Sequence, residues 1–244
     1  MATPLQTLTR PHRNKLLAYL DAADLASLEP SLQRVSLEFR QELYDYRQHV
    51  THIYFPLSGV VAVTRSLRDG QTAQVASVGN EGVVGYGALI DAPVASGRAM
   101  VQLPGEALRI ETPAIQRFAL EKPRFRAVAM HYGHVLISHL MQSVVCHRFH
   151  SARQRYALWL LQTLDRAHSD TFPLTQEIVA QTLGVRRATV SDIARDVQKS
   201  GAVRYRRGEI TVHDRASLMT QACECYAMLQ EEYERLLDIP DRQA

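Results

Sequence analysis

The chain has 244 residues, a net charge of +3, 46% hydrophobic and 22% charged residues, which supports one large or two ordinary folded domains and excludes collagen-like, disordered and disulfide-dense classes. Its three cysteines, Cys146, Cys223 and Cys225, cannot all pair with one another, and such sparse use fits a reducing compartment. The opening MATPLQTLTRPHRNKLLAYL lacks the apolar stretch of a secretory signal, and no run approaches the about 18 apolar residues of a membrane-crossing helix, so a soluble cytoplasmic protein with no membrane partner is expected.

Leu16, Leu17, Leu20, Leu25 and Leu28 recur at helical spacing, with Asp21 and Asp24 as breaks or caps between two short helices. From residue 34 the period changes to that of short strands punctuated by turns. Strands are expected at 34–39, 52–56, 59–66, 72–78, 97–103 and 107–111, with a hairpin at Asp69-Gly70, where both central positions favour positive φ. This segment reads as an antiparallel sandwich or roll. Pro113 and Pro123 bracket a short helix, and a long helical pattern then runs to about Arg148. It carries two apolar stripes, one through Phe125, Val128, Tyr132 and Val135 and another through Ile137 and Met141. A surface helix needs one apolar face; two imply packing on its own domain and on a second copy of itself, hence a homodimer. Ser151 is placed to cap the next helix, to Arg166, and residues 167–172 read as a polar loop.

Function is carried by the stretch from Phe172 to His213. Thr175 caps a helix from Gln176 to Leu183, Gly184 supplies a left-handed turn, and a second helix runs from about 187 to 200 with Val190, Ile193, Ala194 and Val197 inward. Helix, glycine turn, helix is the helix-turn-helix pattern, whose second helix presents its leading end to base edges in a major groove. Residues 202–213 then alternate around Arg207-Gly208 as a two-stranded wing. From Arg186 to Arg207 there are seven basic residues against two acidic ones in 22 positions, the footprint of a phosphate-binding surface; a solvated basic face without a partner is the alternative for the block taken alone.

Strand-rich first half, long helix and the Leu174-Thr175…Leu183-Gly184-Val185-Arg186-Arg187-Ala188-Thr189-Val190-Ser191 motif together resemble the Crp/Fnr regulators. The resemblance implies an α+β fold: an N-terminal double-stranded β-roll (a jelly roll like those that bind cyclic nucleotides), a dimerisation helix and a C-terminal winged helix-turn-helix. The expected segments are N-terminal helices at 1–29, the roll at 30–122, the dimerisation helix at 123–150, the DNA head at 151–213 and a helical extension at 214–244. The implied activity is sequence-specific regulation of transcription by a homodimer on a roughly palindromic duplex, with RNA polymerase as a further partner. By position, Arg187, Ala188, Ser191 and Asp192 reach bases, with Arg187 suited to bidentate pairing with guanine. Thr175, Arg186, Thr189 and Arg195, with Arg204 and Arg206 of the wing, fall to phosphates. The chain departs from well-known members at Ala188, where a Glu is common, at Asp192, where an Arg is common, and at Arg186, where a Ser often caps the helix.

Cyclic-nucleotide members of that family use a Gly-Glu for the ribose and an Arg-Ser or Arg-Thr for the phosphate. Here Tyr86 follows Gly85, and Arg98 is shifted by one residue, which on a strand sends a side chain to the other face. The clamp is therefore read as broken, no cofactor is expected and the effector is left open. An iron–sulfur cluster needs several thiolates, and the N-terminal segment has none. Cys146 and His150, four apart, can face one ion, but no carboxylate or second cysteine is seen to complete a tetrahedral set, so no metal is expected. Cys223 and Cys225 stand in a helical region whose successive positions diverge, and are read as buried filler with a redox role as the alternative. A cupin-like enzyme would gather histidines on strands, yet His49 and His52 fall on opposite faces, and no nucleophile–base signature is present; no catalysis is expected. A module binding a partner protein through the helix-turn-helix is the second alternative.

Overall fold

In the computed structural model, which describes residues 14–237 apart from residue 168, the first packed group is the Asn14 side chain. It is fully buried, donates to the carbonyls of Pro56 and Gly82 at 3.0 and 2.8 Å, and accepts from the N–H groups of Leu16 and Leu17. One amide thereby pins the start of the described chain to the end of a strand at Pro56 and to a loop at Gly82, and caps a 3-10 turn, Leu17–Tyr19. Asp21 caps α1 (Ala22–Leu28) by accepting from the Asp24 N–H at 2.7 Å. The segment expected before Asn14 lies outside the described residues.

The strand-rich region is β1 (Gln33–Leu37), β2 (Glu42–Tyr44), β3 (His52–Pro56), β4 (Val60–Ser66), β5 (Thr72–Val78), then α2 (Tyr86–Leu89), β6 (Arg98–Leu103) and β7 (Gly105–Glu111). It forms two antiparallel sheets, ordered β1-β7-β3 and β2-β6-β4-β5, so the chain crosses between layers as a roll does. The strand expectations hold to within a few residues, with two corrections. β2 is additional; it is three residues long and broken by a bulge, too short for alternation to show. The β4–β5 hairpin joins Ser66 and Thr72 through a longer loop in which Gly70, and not Asp69, has positive φ.

β4 explains how the two halves of the molecule meet. Val61 belongs to the core of the roll, with Ile53, Phe55, Val101 and Ile110, whereas Val60, with Leu103 of β6, belongs to a second core built from the C-terminal half. The alternation of the strand thus sends successive valines into different cores, each fully buried apolar side chain contributing about 1.5–3 kcal/mol.

After α3 (Thr112–Glu121) comes α4 (Pro123–Phe149), whose Phe125, Val128, Ala129, Tyr132 and Val135 fill the roll core. The approach is close: a Cβ on Gly82 would lie 2.1 Å from the Tyr132 hydroxyl. α5 (Ala152–Ala167) opens on a reciprocal cap in which Ser151 Oγ accepts from the Gln154 N–H at 3.3 Å and Gln154 Oε1 accepts from the Ser151 N–H at 3.0 Å. Next come β8 (Thr171–Pro173), α6 (Gln176–Leu183), α7 (Arg187–Lys199), β9 (Val203–Arg206) and β10 (Glu209–Val212). β8 corrects the expected polar loop: it is a short edge strand completing the sheet β8-β10-β9.

Among the described residues the expected helical extension is two helices, α8 (Arg215–Gln221) and α9 (Cys225–Leu237), with a break between them. α9 continues the work of the roll. The inner face of the first half of α4 meets the roll, while farther along Ser138 donates to Glu232 at 2.9 Å, Gln142 donates to Cys225 at 3.0 Å, and the His139 and Tyr233 rings lie 6.0 Å apart.

Candidate DNA-contacting surface

Local chemistry shapes the helix-turn-helix as its residues dictate. Thr175 Oγ1 accepts from the Ile178 N–H at 3.3 Å, capping α6. Gly184 takes the left-handed conformation at φ 63°, ψ 39°, which costs a glycine almost nothing, and the Val185 N–H bonds back to the Ala180 carbonyl at 3.1 Å. α7 buries Val190, Ile193 and Val197 against α5 and α6. Its opposite face is open: Arg186, Arg187, Ala188, Thr189, Asp192 and Arg195 are exposed, and Ser191 is half-buried with its hydroxyl donating to the Arg187 carbonyl.

Arg186 stands at the N-cap of α7 in extended conformation, without a side-chain cap to the first-turn N–H groups. The leading end therefore combines unsatisfied donors, the positive end of the helix dipole and two guanidinium groups, a setting that favours a phosphate oxygen. Two weak ion pairs occupy this surface. Arg187 lies 3.6 Å from Glu177 of α6, and Arg195 lies 3.1 Å from Asp192 one turn back. All four side chains are largely exposed, so each pair is worth only about 0–1 kcal/mol and yields readily to a polyanion. Thr175 has its oxygen engaged in capping, leaving its hydroxyl proton as the group it can offer.

The wing is built from β9 and β10, paired from Val203↔Val212 to Arg206↔Glu209. Its turn places Arg207 at φ 51° and Gly208 at φ 84°, the mirror-type hairpin that suits the strand twist. Arg204 and Arg206, two apart on β9, share one exposed face, with Arg207 exposed at the tip. The Tyr205 N–H donates to Gln198 Oε1 of α7 at 3.0 Å, which fixes the wing relative to the second helix.

The head does not stand free of the roll. Thr182 of α6 donates to Gln74 Oε1 of β5 at 2.8 Å, and Gln102 of β6 donates to the same oxygen at 2.9 Å. Deeper in, Arg166 of α5 lies 2.8 Å from Glu81 in the roll, with both side chains nearly buried, and also donates to Ser77 Oγ at 2.8 Å. Burial alone would raise the Glu81 carboxyl, but the Arg166 charge and the Gly79 and Glu81 N–H groups outweigh it and hold the group below the usual carboxylate range. The pairing of Glu81 with Arg166 is not legible in the sequence because the two lie far apart along it.

At the clamp positions of the roll, Tyr86 packs edge-on against Tyr132 at 5.7 Å, and its hydroxyl lies 1.9 Å from where a Cβ on Gly133 would be. Arg98 is exposed on the outer face of β6, 2.5 Å from Glu42, while Ala99 and Val101 point inward. Arg98 thus stays outside the core of the roll, whereas Tyr86 packs against it.

The cysteines depart from expectation. Cys223 lies in the break between α8 and α9, outside any helix, so it and Cys225 converge rather than diverge, and both meet Cys146 and His150 at the end of α4. The reading that no second cysteine completes that set is corrected by this convergence.

Residues 34–122 match the cyclic nucleotide-binding domain family and residues 154–220 match the Crp-like helix-turn-helix domain family. No curated protein matches the chain in sequence. Among solved structures, FixK2 from Bradyrhizobium japonicum is 17% identical with a TM-score of 0.67, covering 79% of this chain and 98% of its own. A regulator of the Crp/Fnr family from Eubacterium rectale is 16% identical with a TM-score of 0.66, over 86% and 98%. CLP, a c-di-GMP responsive global regulator from Xanthomonas campestris, is 14% identical with a TM-score of 0.61, over 79% and 99%. These likenesses show the fold, and with two matched domains in one chain, in this order and joined by the long helix, the protein belongs to the Crp/Fnr family of DNA-binding transcription regulators.

Proposed function

We propose that the chain acts in the cytoplasm as a homodimer on a roughly palindromic duplex, with the leading end of α7 in the major groove and the wing on the flanking backbone. The observation that carries this reading is the open face of α7 together with a second open face on α4. Met130, Ile137, Met141 and Val144 of α4 are each more than half exposed, and 130, 137 and 144 recur every seven residues with 141 between, the spacing of a two-helix seam. They lie opposite the face that meets the roll and α9, so the C-terminal extension leaves the seam open. Two heads related by the dimer axis would meet half-sites about 34 Å apart.

Selection of bound sites from random duplexes tests the reading: a two-fold symmetric motif supports it, and a purified dimer that ignores every duplex at low salt overturns it. Arg187→Ala is expected to weaken the best site by about 1–3 kcal/mol and to relax preference at one base pair in each half-site, read from the same selection. Its loss also frees Glu177, so the Glu177→Ala variant separates base contact from release of the acidic side chain. Arg206→Ala is expected to weaken all sequences alike and to shallow the dependence of log affinity on log salt by about one unit per head. An unchanged salt slope would take the wing tip out of the contact surface.

A further inference from the structure

Cys146 and His150 stand one turn apart at the end of α4, where the long helix hands over to the DNA head, and His150 closes that helix by donating its N–H to the Cys146 carbonyl at 3.0 Å. Cys223 and Cys225 arrive from the break between α8 and α9. All three thiols are buried and none is in a disulfide, and the four donor atoms lie within 4.8 Å of one another. The individual edges say more. Cys146 Sγ is 3.6 Å from Cys223 Sγ, and Cys225 Sγ is 3.4 Å from His150 Nδ1. Around a tetrahedral zinc ion, with Zn–S near 2.3 Å and Zn–N near 2.0–2.1 Å, the corresponding edges are about 3.8 and about 3.6 Å. A disulfide would need the sulfurs at about 2.05 Å.

The surroundings of the four fit the same chemistry. His150 turns Nδ1 to the cluster and Nε2 toward Glu224 Oε1 at 3.6 Å, the carboxylate partner that orients a metal-bound imidazole. Gln142 donates to Cys225 Sγ at 3.0 Å, a hydrogen bond onto the sulfur from outside the four donors. Cys146 and Cys225 also line the cleft between roll and head, which gives an ion a route in.

We propose that Cys146, His150, Cys223 and Cys225 form a closed Cys3His site for a tetrahedral divalent ion of the zinc type, clasping the C-terminal helices to the joint between α4 and the DNA head. Binding forms three metal–sulfur bonds and one metal–nitrogen bond, releases the three thiol protons to solvent, and leaves the site with a net charge of −1. The role is structural: four protein donors leave no open position for a substrate. The inference is independent of which DNA sequence the head reads.

The test uses the full-length chain purified under reducing conditions. Elemental analysis should find one zinc per chain, and cobalt(II) added to the chelator-stripped protein should give the intense visible bands of tetrahedral thiolate coordination. Cys225→Ser and His150→Gln should abolish both signals. Should either variant fail to fold, Glu224→Ala, which alters an exposed side chain, should still fold and bind cobalt about tenfold more weakly. Wild-type protein with three titratable thiols, no zinc and no thiolate–cobalt bands would overturn the site. So would a Cys146–Cys223 disulfide in its place, or metal retained unchanged in Cys225→Ser.

Discussion

Replacing Arg166 by methionine is expected to lower the unfolding free energy by about 3–5 kcal/mol, the range for removing one member of a buried ion pair. Methionine keeps much of the aliphatic stem that packs over Gly79, so the loss isolates the charge. What remains is a Glu81 carboxylate with the Gly79 N–H bond at 3.0 Å but no cation, in a place where burial already works against ionisation. A shifted denaturant midpoint with an unchanged slope is the measurement, and a shift below about 1 kcal/mol would mean that water reaches the pair.

The pH dependence separates this account from simple packing loss. In the native chain Glu81 is held below its usual range, so its contribution is fully present above the unfolded carboxylate value and disappears as pH falls through the folded one. His139, which faces Arg166, Glu81, Glu232 and the Tyr233 ring, is held low first by burial and then by Arg166. It takes a proton in the unfolded chain sooner than in the folded one, so stability also declines as pH falls through the ordinary histidine range. Tyr132 and Tyr233, beside Glu81, are pushed up by burial and stay protonated throughout. In Arg166→Met the sign at Glu81 reverses. A buried carboxyl without its cation is raised, and acid relieves the penalty by neutralising it. The stability gap between native and variant chains should therefore narrow as pH falls through the carboxylate range, and a gap independent of pH would remove Glu81 from the explanation.

What could be read from the sequence follows the range over which each feature is determined. Thr175, Gly184 and the Arg207-Gly208 turn act within a few residues, and each was identifiable because only certain side chains satisfy a cap or a left-handed backbone. β3 and β5 were found with their full extents because they are long enough to show their character. β2 and β8, three residues each, fall below that length. The two stripes of α4 were legible, but not that α9 would share its inner face. Cys146 and Cys223 are brought together only by the whole head folding between them, and the reading of Cys223 and Cys225 as divergent assumed one continuous helix. The break at Ala222–Glu224 removed that assumption. Glu81 and Arg166 belong to the same class of contact, set by tertiary structure and silent in local pattern.

Placing glutamate at both Ile137 and Val144 is expected to convert the proposed dimer to monomer and to reduce affinity for the proposed two-fold site by about 10²–10⁴-fold, the gain that linking two heads supplies. The argument starts from exposure. Within one chain Ile137 is 58% and Val144 72% exposed, so glutamate there leaves the protomer's own core intact and thermal unfolding of the monomer should remain cooperative. In a paired helix the same carboxylates would lie across the axis from their own copies, where like charges are desolvated and repel. α4, at 27 residues, is about 40 Å long, so a seam through 130, 137, 141 and 144 runs for about 21 Å across its middle. A single head retains the α7 and wing surface, and should still bind one half-site with the same base preferences but lower affinity. Sedimentation of the variant, with binding to full and half sites at one salt concentration, distinguishes the outcomes. A variant that sediments as a dimer would show that the chains associate elsewhere, and a monomer with undiminished affinity for the full site would show that one head suffices.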